Sequence, residues 1–163
     1  MIKKIGLYIA TLLLFNGCTG KNLIKKENQE SAFIVIKTAT MKYADMGFIY
    51  KSDSFVKVEI YSMGQPLVSL DINPVNVCMS TFECMDKKDF NAKMLSPNYP
   101  ETLLENIFRG EPIFNKKGFE ENANGFSQKL KKDDKYDITY SVISGKRVFR
   151  DKINKIVIKV KKQ

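Results

Sequence analysis

The chain has 163 residues, with 27 Lys and Arg against 18 Asp and Glu, 44% hydrophobic residues and no histidine. The length suits one ordinary domain with a core of its own. Without histidine, Ser-His-Asp triads, Cys-His pairs and the commonest zinc ligand are excluded in their usual forms, and no Gly-rich phosphate loop is present.

The first element is Met1–Gly17. Lys3 and Lys4 precede an apolar run from Ile5 to Phe15, roughly 11 residues where about 20 are needed to span a bilayer. It reads as a cleaved secretory signal and not as a transmembrane helix. Leu14-Phe15-Asn16-Gly17-Cys18 resembles the lipobox of bacterial lipoproteins, with Phe15 and Asn16 where that pattern carries Leu and a small residue. The resemblance implies cleavage before Cys18 and lipidation of Cys18, so that the chain is held by acyl groups, each buried methylene adding about 0.8 kcal/mol. Thr19, in place of an Asp after the cysteine, implies an outer-membrane address. The alternative is an ordinary secretory signal with an incidental cysteine.

Residues 18–30 follow as lipidated N-terminus and tether, since Asn22–Glu30 (NLIKKENQE) is polar and charged without periodicity. A single β-rich domain is expected over 31–163, starting at Ser31 with the shift to AFIVI. Phe33–Met41 and Lys42–Tyr50 read as strand, with a bend at Asp45–Gly47. Phe55–Tyr61 places Val56, Val58 and Ile60 on one face. Ser62–Pro66 is a turn, and Leu67–Ile72 places Val68, Leu70 and Ile72 together. Val75–Met79 opens a hairpin in which Cys78 and Cys84 come within disulfide reach; two reduced thiols are the alternative, and the spacing is wrong for a redox C-x-x-C site.

The middle reads as two short helices. Asp86 suits an N-cap for Lys87–Leu95. Pro100 suits the first position of a second helix that ends at Arg109, with Gly110 as its stop. Leu103, Leu104, Ile107 and Phe108 give it one apolar face, which should lie on a sheet. Strands return at Gly125–Leu130, Lys135–Ile143, Arg147–Arg150 and Ile153–Lys161. In the second of these, Tyr136, Ile138 and Tyr140 share a face. The fold expected is α+β: an antiparallel sheet, half-solvated, wrapped around a helical insertion.

Removing Lys3 and Lys4 with the signal leaves a net charge of +7, and the segment from Gly145 to Gln163 accounts for all of it. Lys146, Arg147, Arg150, Lys152, Lys155, Lys159, Lys161 and Lys162 stand there against Asp151 alone. Such a patch attracts anionic headgroups, acidic proteins or nucleic acid; export argues against nucleic acid, and one solvated strand face is the alternative. The carboxylate pairs Asp133-Asp134 and Glu120-Glu121 read as solvated loops. The protein is therefore not expected to be an enzyme, and no cofactor or metal is expected. The methionines and aromatics suit either a packed core or an adaptable apolar surface. Met63 stands apart at a turn tip, where residues are normally polar.

Three stretches, VKVEIYSMGQPLVSLDI, LLENIFRGEPIF and KYDITYSVISGKRVFRDKINKIVIKVKK, together resemble the LolB family of outer-membrane lipoprotein receptors. Met63-Gly64 takes the place of the family's protruding Leu-Gly, and Arg109, Gly110 and Pro112 match its helix exit. The family's tryptophans are absent, and the Cys78/Cys84 hairpin is not a general family feature. The resemblance implies an antiparallel β half-barrel, a curved sheet with two short helices inserted mid-chain, as in LolB and its carrier LolA. It implies a monomer at the outer membrane, facing the periplasm, that holds the acyl chains of client lipoproteins received from a LolA-like carrier. Val56, Val58, Ile60, Val68, Leu70, Ile72, Tyr136, Ile138 and Tyr140 are the expected acyl-binding residues, and Met63 and Gly64 the membrane-contacting loop. The competing expectation is a membrane-anchored structural or interaction lipoprotein with no ligand cavity.

Overall fold

The computed structural model describes residues 28–80 and 83–163. The signal segment, Cys18 and residues 18–27 of the expected tether lie outside the described residues. Among the described residues six strands come first: β1 (Asn28–Lys37), β2 (Lys42–Lys51), β3 (Val56–Ser62), β4 (Gln65–Ile72), β5 (Asn76–Met79) and β6 (Glu83–Asp86). Two helices follow, α1 (Lys87–Met94) and α2 (Leu103–Arg109). The last five strands are β7 (Phe119–Asn122), β8 (Gly125–Lys132), β9 (Tyr136–Ile143), β10 (Lys146–Asp151) and β11 (Ile156–Lys162).

All eleven strands form one open antiparallel sheet in the order β6-β5-β4-β3-β2-β1-β11-β10-β9-β8-β7. Each arm is a meander of short hairpins, which is what alternating strands joined by tight turns produce. The arms join at the centre, where β1 and β11 pair from Ala32 opposite Lys162 to Lys37 opposite Val157. The helices therefore link the two outermost strands.

Alternation sorts the two faces. Ala32, Ile34, Ile36, Val56, Val58, Ile60, Ile138, Phe149, Ile156 and Ile158 turn to one buried face, here called the inner face. It is covered by Phe90 of α1 and by Leu103, Leu104, Ile107 and Phe108 of α2, all buried. α1 lies against β5 and β6, and α2 against β3 and β10. Asp86 caps α1 by accepting from the Asp89 amide at 2.7 Å, and Gly110 ends α2 in the left-handed conformation, φ 79°, as expected.

Several boundaries differ from the sequence reading. β1 begins at Asn28, three residues ahead of Ser31, so Asn28–Glu30 belong to the sheet and not to a tether. The chain reverses at Thr38–Met41 rather than bending at Asp45–Gly47, because the Thr38 hydroxyl accepts from the amides of Thr40 and Met41. Helix α2 starts after Pro100, which instead closes a turn to the Leu103 amide. Glu120 and Glu121 sit on edge strand β7, paired with β8, and not in a loop; charge on an edge strand discourages further pairing. β11 starts at Ile156 and not Ile153, since the Asp151 carboxylate binds the amides of Ile153 and Asn154 and holds them in a turn.

Candidate functional site

The expected acyl-binding residues converge. Val56, Val58, Ile60, Val68, Leu70, Ile72, Ile138 and Tyr140 are all buried in one core with the apolar face of α2. Tyr136 is half-buried and packs against that core beside Phe114, ring centroids 5.1 Å apart. The register explains the convergence: Val58 lies opposite both Ile49 and Leu70, so three strands contribute to one row.

The cover is stapled to the sheet by three polar links. Arg109 at the end of α2 donates to the carbonyls of Ser52 at 2.9 Å and Phe55 at 3.3 Å, in the β2–β3 loop. Tyr99, between the helices, donates to Asp151 on β10 at 2.5 Å. Gln128 of β8 accepts from the Ile113 amide and donates to the carbonyls of Ile113 and Lys117. Within the cover, Glu105 bridges Lys87 of α1 and Arg109 of α2, each at 3.0 Å.

At one rim of the inner face lies an ionic cluster that sequence reading does not reveal. Glu30 accepts from Arg147 on β10 and from Lys51 on β2. Burial pushes the Glu30 carboxyl up, but its bonds to Arg147 and Lys51 win and hold it below the usual carboxylate range. Burial pushes Lys51 down, and the nearby Arg147 and Arg109 add to this, against its own bond to Glu30. Close by, Arg147 Nη1 and the Tyr140 hydroxyl are buried without a hydrogen-bond partner among the described residues. Burial, with Glu111 adding to it and Arg147 opposing, raises the Tyr140 phenol.

Met63-Gly64 forms the two-residue turn between β3 and β4, with φ 52° and 77°. Two positive φ values in succession match the hairpin turn that follows strand twist. Met63 is 102% exposed. Methionine is poorly suited to that conformation, which costs a residue with a Cβ about 1–2 kcal/mol. Nothing lies within 4 Å of a Cβ built on Gly64, so the tip stands clear of the domain.

Cys78 and Cys84 face each other across β5 and β6 and are bonded, S–S 2.05 Å. No three or more acidic or cysteine side chains among the described residues form a metal-binding group. None of their helices is long and apolar enough to cross a membrane. No protein-family model matches this sequence, and no curated protein matches it.

Proposed function

We propose that this protein is a lipid-anchored, LolB-like acceptor of acyl chains at the outer membrane. In this reading Cys18 carries the anchor, the inner face of a curved half-barrel takes client acyl chains from a LolA-like carrier, and the domain faces the periplasm. The observation that carries the proposal is Met63: an apolar side chain, fully exposed, at a turn conformation that disfavours it. A residue unfavourable in both respects has a role outside the fold, and an apolar one suits a bilayer.

The covered sheet supports the same reading. α2 touches β3 and β10, strands that are four steps apart in the sheet, which favours curvature around the helix. The inner face is closed by the helices, so acyl entry requires α2 to give way. Exposing its four apolar side chains costs roughly 6–12 kcal/mol at about 1.5–3 kcal/mol each. A 16-carbon chain, at about 0.8 kcal/mol per buried methylene, offsets roughly 12 kcal/mol. The exchange is near balance, as an acceptor that must pass its cargo on requires.

A second reading is an envelope scaffold or interaction lipoprotein. It is favoured by the near-complete burial of the inner-face residues, which leaves them packed as an ordinary core.

The test is Met63→Glu. The acceptor reading expects unchanged folding and failed delivery of lipoproteins to the outer membrane; normal delivery would favour the scaffold.

A further inference from the structure

The end of the sheet that bears the β1–β2 turn also carries the β10–β11 loop, and a groove of about 530 Å³ lies between them. Its size falls within the range of small-ligand sites. Lys37, Lys42, Arg150, Lys152 and Lys155 line it, with Asp151 as the single acid.

Three of the cations form a row across the outer face. Lys42 lies opposite Lys37, Lys37 opposite Val157, and Val157 opposite Arg150. With strands about 4.8 Å apart, Lys37 and Arg150 flank Val157 at roughly 10 Å. Two like charges facing each other across a strand pair oppose folding, and no acid stands in the row to relieve them. Lys37, Lys42, Arg150 and Lys155 make no ion pair among the described residues. Lys152 has a loose partner in Asp137, at 3.7 Å.

Asp151 offsets only one of the five positive charges that line the groove. Its carboxylate is taken up by the Tyr99 hydroxyl, the Asn154 side chain and the amides of Asp137, Ile153 and Asn154. Those bonds fix the loop that presents Lys152 and Lys155, and Lys155 itself is held at φ 55°. On the opposite wall the Thr38 hydroxyl fixes the turn between Lys37 and Lys42. Both walls are thus preorganised, and four of the five cations they present have no ion-pair partner among the described residues.

We propose that this groove binds a phosphate-bearing anion. Phosphate carries the charge to balance several unpaired cations and the oxygens to accept from each. The same chemistry is offered by the headgroup of an anionic lipid and by free phosphate. The cations lie on the outer face and in loops, so this site and the acyl-accepting inner face stand or fall separately.

The experiment measures co-sedimentation of residues 19–163, which keep every described residue and leave out the signal segment and the acyl anchor, with phosphatidylcholine vesicles containing about one third phosphatidylglycerol. The parent is compared with Lys37→Glu/Arg150→Glu in the groove and with Lys116→Glu/Lys117→Glu, an equal charge change elsewhere. The groove pair should weaken binding about tenfold or more, while the control pair stays within about twofold. Inorganic phosphate is then added against chloride at equal ionic strength: displacement assigns the site to free phosphate, and no displacement assigns it to the lipid headgroup. Equal loss in both variants would overturn the proposal, since net charge alone would explain it, and so would no loss in the groove pair. If thermal melts show the groove pair unfolded, Lys42→Glu/Lys155→Glu takes its place under the same criteria.

Discussion

Arg147 on β10 reaches past β11 to hold Glu30 on β1, its Nη2 lying 2.9 Å from Oε1 and 2.6 Å from Oε2. The pair spans 117 positions of sequence and ties the first strand to the arm that ends the chain. Both side chains are nearly buried, 7% and 11% exposed. Removing one partner of a buried pair strands the other, at a cost of about 3–5 kcal/mol. Arg147→Ala should therefore lower stability to denaturant by about 3 kcal/mol. Glu30→Gln combined with Arg147→Met should cost clearly less than the two single changes added together. Chemical denaturation of the parent, Arg147→Ala, Glu30→Gln, Arg147→Met and the Glu30→Gln/Arg147→Met double variant checks both statements.

The same carboxylate sets a pH dependence. Glu30, Glu105 and Asp151 are each pushed up by burial and pulled further down by their donors. For Glu30 the donors are Arg147 and Lys51, for Glu105 Lys87 and Arg109, and for Asp151 Tyr99 and Asn154 together with backbone amides. A carboxyl whose folded pKa is depressed contributes stability above its unfolded pKa and loses it as pH falls through the folded one. Stability should accordingly hold above about pH 5 and decline from about pH 4 downward, around the ordinary carboxylate values. Glu30→Gln should flatten part of that decline. Thermal melts from pH 7 to pH 2 measure it.

Two buried tyrosines should respond in opposite ways to loss of the hydroxyl. Tyr99 donates to Asp151, so Tyr99→Phe removes a bond to a charged group and should cost about 1.5–3 kcal/mol. Tyr140 has no partner for its hydroxyl among the described residues. Tyr140→Phe should leave Tm unchanged or raise it, because an unsatisfied buried group is removed. A clear destabilisation by Tyr140→Phe would mean that its hydroxyl is satisfied.

The Cys78–Cys84 bond closes a short loop, with a sequence separation of 6. Loop closure on that scale corresponds to about 2 kcal/mol. Replacing both cysteines with serine should lower stability by about that amount and leave the fold intact, with the largest changes in β5, β6 and the start of α1. Hydrogen exchange read peptide by peptide checks where the loss falls.

The sequence makes the strands legible wherever one face is buried, because Val56, Val58 and Ile60, or Val68, Leu70 and Ile72, alternate cleanly with polar residues. Caps with local chemistry, Asp86 and Gly110, are equally readable. What escapes is set by side chains acting at a distance or without the usual punctuation. The Thr38–Met41 turn contains no Gly or Pro, so its hydroxyl bonds give no signal that outweighs Gly47. Gly47 lies within strand β2, where a Cβ would meet the Glu59 carbonyl at 2.1 Å, so close approach to β3 and not a bend is what requires glycine there. Glu120 and Glu121 look like loop because an edge strand tolerates charge. Glu30, read as tether, belongs to the core rim because Arg147 and Lys51 meet it there. The basic tail does not act as one patch: Arg147 is spent on Glu30, while Arg150, Lys152 and Lys155 face the groove.

The claim that the inner face accepts acyl chains is tested most directly by native mass spectrometry of the full chain mixed with a lipidated client loaded on its periplasmic carrier. The account predicts a complex of this protein with the client and an emptied carrier. A client that stays on the carrier, beside a compact and ligand-free chain, would contradict it.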